Sequence, residues 1–92
     1  MIDKKFREQI ANEIEDTIIL DNPSFDNSII GFTDGGNLVY DYNRMVSEFA
    51  EENGVSDFEA IEFIDSNTIR AIPYMGDERP IIIYRFEEYT NE

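Results

Sequence analysis

Ninety-two residues carry 21 Asp and Glu against seven Lys and Arg, a formal net charge of −14, with neither His nor Cys. Without imidazole or thiol, the chain lacks the usual neutral-pH proton shuttle, the commonest transition-metal ligand and the strongest protein nucleophile. Such acidity repels nucleic-acid phosphates and anionic membranes, so neither is expected as a direct partner.

The length suits one domain spanning residues 1–92. A hydrophobic fraction of 41%, with seven Phe and five Tyr, is too apolar for a disordered acidic tail. So short a chain buries a modest share of its surface, and carboxylate repulsion thins the margin, so stability should rise with added salt. Zero Cys leaves no disulfide framework or thiolate metal site. Charges interrupt the apolar residues of Met1–Arg7, and the longest apolar stretch, Ile81–Tyr84, is strand-sized. The expectation is a cytoplasmic protein without metal or cofactor.

Residues 3 to about 19 read as a helix, with Ile2, Phe6, Ile10, Ile14 and Ile18 forming an apolar stripe. Asp3 and Arg7 have the spacing of an i,i+4 pair. Pro23 ends this segment, since the residue before a proline is pushed out of the helical region. Residues 28–41 predict a β-hairpin: Ile29–Phe32 and Leu38–Tyr40 flank Thr33–Asn37, whose Asp-Gly-Gly supplies the turn. A phosphate loop would need a helix straight after the glycines, and none follows. Asp41–Asn53 predicts a second helix closed by Gly54. Ser56 and Glu59 form a capping box that opens a third.

In the third helix Ala60, Ile61, Phe63, Ile64 and Thr68 share one broad face, while Phe58 projects to the far side near Glu62 and Asp65. Phe58 is expected to pack on the preceding helix; the alternative is an exposed aromatic that meets a partner. Pro73 ends or kinks the chain after Ile72, and Pro80–Phe86 reads as a strand that pairs with the hairpin. Residues 87–92 read as a fraying tail. The order predicts an α+β domain: N-terminal helix, β-hairpin, two helices and a C-terminal strand. Its small three-stranded, mostly antiparallel sheet has helices on one face. Both sides of the last strand are apolar, which puts it at the centre of the sheet or under a partner chain, as in a homodimer through the sheet.

Two constellations carry the functional reading. Asp65, Asn67, Thr68, Arg70 and Tyr74 bring a scarce cation together with polar and aromatic groups near a helix end, and Phe58 joins them as an aromatic candidate. Arg70 could pair with Asp65 or Asp41 as a clamp, or grip a ligand. The acids Glu48, Glu51, Glu52, Glu59, Glu62 and Asp65 could instead imitate a nucleic-acid backbone, against the plainer role of keeping the surface solvated. No carboxylate pair is marked for catalysis, and no calcium-loop spacing occurs.

Asp26–Phe32, Val39–Tyr42, and Glu59–Arg70 with Pro73-Tyr74 resemble a family of small acidic proteins of Firmicutes, gut species among them, and of their phages and mobile elements. The resemblance covers about residues 24–84 and implies a bacterial, cytosolic origin but no activity. The expected function is a non-enzymatic protein-interaction module. The alternative is a mobile-element inhibitor that mimics nucleic acid against a DNA-binding defence enzyme.

Overall fold

The computed structural model describes residues 4–14, 16–21 and 23–86. Ile2, the Asp3 end of the Asp3–Arg7 pair, and the tail 87–92 lie outside them. The architecture is α+β, with helices against a three-stranded sheet. In chain order the elements are α1 (Lys4–Glu13), β1 (Ile29–Phe32), β2 (Leu38–Asp41), α2 (Tyr42–Asn53), α3 (Asp57–Phe63) and β3 (Ile81–Ile83).

The hairpin forms as its turn residues dictate. Gly36 holds a positive φ of 89°, and the Gly36 N–H donates to the Thr33 carbonyl. Leu38 and Tyr40 of β2 point into the core with Ile29 and Phe32 opposite them, while Gly31 pairs with Val39 on the other face. Ile30 is the extra residue of a bulge between these pairings.

β2 is the middle strand. β1 lies antiparallel on one side and β3 parallel on the other, so the sheet is mixed. The parallel pairing follows from connectivity, since α2 and α3 form the crossover that a parallel pair requires. The last strand is therefore not central. Ile82 meets the core beside Tyr40, whereas Ile81 and Ile83 share the far face with Val39 and Asp41. It is also shorter than Pro80–Phe86, because Tyr84 turns away to pack on Tyr42 (ring centroids 4.7 Å apart) and Arg85 turns to Asp41.

Asp41 is 4% exposed, and each of its oxygens has its own partner. Oδ1 accepts the N–H groups of Asn43 (3.0 Å) and Arg44 (3.4 Å) and so caps α2. Oδ2 takes Nε of Arg85 at 2.8 Å. Gly54, at φ 65°, closes α2 with a bond to the Ala50 carbonyl. The capping box of α3 is complete: Glu59 N–H donates to Ser56 Oγ, and Ser56 N–H to Glu59 Oε1 (both 3.1 Å).

Two helical expectations need correction. α1 stops at Glu13 rather than near residue 19. Asp16 adopts φ 62°, and Leu20 becomes part of the core. The β-branched run Thr17-Ile18-Ile19 favours an extended chain, and the tertiary bond from Leu20 N–H to Tyr40 Oη (2.9 Å) secures it.

Beyond α3 the chain widens into a π-helical stretch, Ile64–Ile69, and ends in a 3-10 turn, Ile72–Tyr74, at Pro73. Ala60, Ile64, Thr68 and Ile72 are all buried. In a straight α-helix a spacing of four drifts by roughly 40° per step. The wider π turn counters that drift and keeps the row facing the core.

Two predictions follow from Asp41 and Tyr40. Asp41→Asn, which keeps an acceptor at the cap, should cost about 1 kcal/mol in urea unfolding, and Asp41→Ala about 2 kcal/mol. Equal losses would contradict the division of labour between the two oxygens. Burial pushes the Tyr40 phenol up from 10.0 to about 12. A pKa raised by folding favours the native state below the unfolded value, so this contribution should be intact below pH 10 and lost as pH rises through about 12. Tyr40→Phe strands the Leu20 N–H, should cost about 1–3 kcal/mol, and should remove this alkaline step from a stability–pH profile.

Candidate functional site

The residues singled out around Arg70 do not converge. Thr68 is 9% exposed and belongs to the core row. Asn67 Nδ2 donates to the Phe63 carbonyl (2.9 Å), and Asp65 accepts the Tyr42 hydroxyl (2.7 Å). Arg70 is exposed and, among the described residues, pairs with neither Asp65 nor Asp41, whose Oδ2 is held by Arg85.

Phe58 is 68% exposed, so it does not pack on α2. Phe63 makes that contact instead, stacking on Phe49 at 4.5 Å, and Phe49 in turn lies against Phe25 at 6.3 Å. Tyr74 is 88% exposed at the far end of the helical segment. Twelve residues separate Phe58 from Arg70, roughly 18 Å of helix, too far for one small contact patch.

The acidic set is likewise divided. Glu48 accepts Ser28 Oγ (2.8 Å) and Asn27 N–H (3.3 Å), Glu59 completes the α3 cap, and Asp65 holds Tyr42. Glu51, Glu52 and Glu62 alone of the six are exposed and without a partner among the described residues. Three unengaged carboxylates on two helices make a poor copy of a continuous phosphate backbone.

Two concavities among the described residues bear on function. One, of about 450 Å³, is bordered by Tyr42, Arg44, Asp57, Ile61, Tyr84 and Arg85. Arg85 is bound to Asp41, and the two tyrosine rings pack together. Burial, then the hydrogen bond to Asp65, raise the Tyr42 phenol well above its ordinary value, and burial raises that of Tyr84. Both stay neutral at physiological pH.

The other is an apolar groove of about 220 Å³ between α1 and β1. Phe6 and Ile10 of α1 and Ile14 just after it form one wall, with Gln9 and Glu13 beside them. All four residues of β1 and Leu38 of β2 form the other. Ile29 and Phe32 face the core side, Gly31 the opposite side, and Ile30 is the bulge. Ile29, Phe32 and Leu38 put the groove on the core face of the hairpin, and Ile30 and Gly31 carry it to the outer edge of β1. That edge has no strand beside it among the described residues. Ile30 (46% exposed) and Phe32 (54% exposed) leave apolar surface along it.

α1 is fixed as a wall by a bidentate ion pair. Arg7 Nε and the Arg7 terminal nitrogen Nη2 each lie 2.7 Å from an oxygen of Asp26, and Nη2 also donates to the Leu20 carbonyl (3.2 Å). The Asp26 carboxylate raises the Arg7 pKa further, so the guanidinium remains charged.

Sequence reasoning placed Phe6, Ile10, Ile14 and Ile29–Phe32 in helix and strand but missed the site between them. The available signal was an apolar run in β1 without polar alternation, which an edge strand ordinarily avoids.

No protein-family model, curated protein or solved structure matches the chain. Among the described residues no three acidic side chains are grouped to hold a metal ion, and no helix is long and apolar enough to cross a membrane.

Replacing Arg7 with Ala should loosen the groove wall selectively. Hydrogen exchange in α1 should rise by about tenfold or more, while β2, α2 and α3 keep their protection. Uniform loss of protection would show that the ion pair supports the whole fold rather than this wall.

Proposed function

We propose that the protein is a non-enzymatic interaction module that binds an extended segment of a partner protein by strand addition to β1. One observation carries this reading: the apolar groove between α1 and the hairpin reaches the unpaired edge of β1 at Ile30 and Gly31. A strand entering there would gain main-chain hydrogen bonds from β1 and bury alternate side chains against Phe6, Ile30 and Phe32. The remaining acids, spread over helix exteriors, keep the domain soluble. A bacterial cytoplasm suits a chain without cysteine, and the resemblance of residues 24–84 to small acidic proteins of mobile elements agrees with that setting.

Nucleic-acid mimicry has less support, because Glu48, Glu59 and Asp65 already serve the fold.

The reading predicts that Ile30→Asp and Phe32→Asp, both at exposed positions, weaken partner binding by about 2 kcal/mol each, roughly thirtyfold in Kd. Phe58→Ala, Arg70→Ala and Tyr74→Ala should leave it unchanged. Co-purification from the producing cell, with urea unfolding as the control for folding, checks this. Capture lost through Arg70 or Tyr74 but kept in the β1 variants would overturn the site.

A further inference from the structure

We infer that the β1 groove is shaped for a cationic extended segment of another protein, and not for a second copy of this chain. The inference rests on the strand-addition reading above and names the chemistry of its occupant.

The groove has a direction. Arg7 reaches Asp26, just before β1, while Ile14 Cγ2 lies 3.3 Å from where a side chain on Gly36, just after β1, would begin. Hence α1 runs alongside β1 in the same sense, with Phe6 beside Ile29 and Glu13 beside the hairpin turn. Among the described residues Glu13 is the only charged one lining the groove. At its end of the groove Asp16 follows α1 and Asp34 lies in the turn, both exposed. The positive charge at the opposite end is partly engaged, since Arg7 is bound to Asp26. An incoming strand therefore meets an apolar channel that becomes acidic toward the hairpin turn. Lysine or arginine alternating with apolar residues matches it: the apolar side chains face α1, and a cation lies at Glu13.

The net charge of −14 acts in the same direction at longer range, since it speeds the approach of a cationic partner and opposes that of a second copy. Size also argues against self-pairing. Four residues of strand span roughly 13 Å, whereas a stable protein–protein interface buries about 1,600 Å². Such an edge can hold a short segment but offers little for two folded bodies.

The experiment uses synthetic peptides of about eight residues, the length of an ordinary strand. One alternates isoleucine with lysine, one alternates isoleucine with glutamate, and a third is the lysine peptide with alternate backbone nitrogens methylated, which blocks strand pairing. Affinity is measured by titration, and β1 amide protection by hydrogen exchange. The lysine peptide should bind about tenfold or more tightly than either other peptide, protect the β1 amides, and lose much of its advantage over the glutamate peptide at high salt. Glu13→Lys, at an exposed position, should reverse the preference.

Equal binding of the lysine and glutamate peptides with β1 protection would leave strand addition standing and overturn the cationic inference. Equal binding of the methylated peptide without protection would mark mere polycation adsorption and overturn both. Protection of β1 in the peptide-free protein, together with a dimeric mass in sedimentation, would identify a second copy as the occupant and overturn the inference. Binding of none of the peptides would overturn it as well.

Discussion

The fold turns on the carboxylate of Asp41. It is the last residue of the middle strand and the N-cap of α2, so the chain changes from strand to helix on one side chain. Its second oxygen holds Arg85, just beyond β3, so the same residue ties the parallel strand to the strand it joins. A buried acid is stable only when its charge is met by donors, and here two backbone N–H groups and a guanidinium meet it. Tyr42 and Tyr84, each next to one of the paired residues, pack on one another and reinforce the junction.

With β3 occupying one side of β2 and β1 the other, β1 becomes an outer strand of the sheet. Its free edge would ordinarily be a hazard, managed by charge or by a cover. Here α1 stands beside it, held by the Arg7–Asp26 pair, with Ile10 and Ile14 in the core and a groove left open toward the edge. The junction at Asp41 thus places β2 between two outer strands, β1 and β3, and the ion pair at Arg7 decides how β1 is presented. The acidity of the rest of the surface then biases what can approach.

Local signals in the sequence were read reliably. The Asp-Gly-Gly turn, the Ser56–Glu59 box and Gly54 each act within a few residues, and each lies where its chemistry requires. Failures came where distant contacts decide. The exit of Ile18–Leu20 from helix depends on Tyr40, twenty residues beyond Leu20. The edge position of β3 depends on a partner strand some forty residues away. The π-helical stretch was hidden in the four-residue spacing from Ala60 to Ile72, which resembles an ordinary apolar face when only adjacent turns are compared. The candidate site failed for a related reason. Residue type made Arg70 and Tyr74 conspicuous, but nothing in their spacing reveals whether they meet at a groove. Phe6, Ile10 and Ile14 are legible as an apolar face, but that Ile10 and Ile14 are buried while Phe6 stays half-buried depends on how the hairpin packs beneath them.

Which surface meets a partner can be read by site-specific photo-crosslinking. A benzophenone-bearing phenylalanine replaces Phe32 in one variant and Tyr74 in another, an aromatic exchanged for an aromatic at two exposed positions. Irradiation in the producing cell should give an adduct from position 32, attached within an extended, lysine- or arginine-bearing segment of another protein, and none from position 74. An adduct from position 74 with none from position 32 would contradict the account.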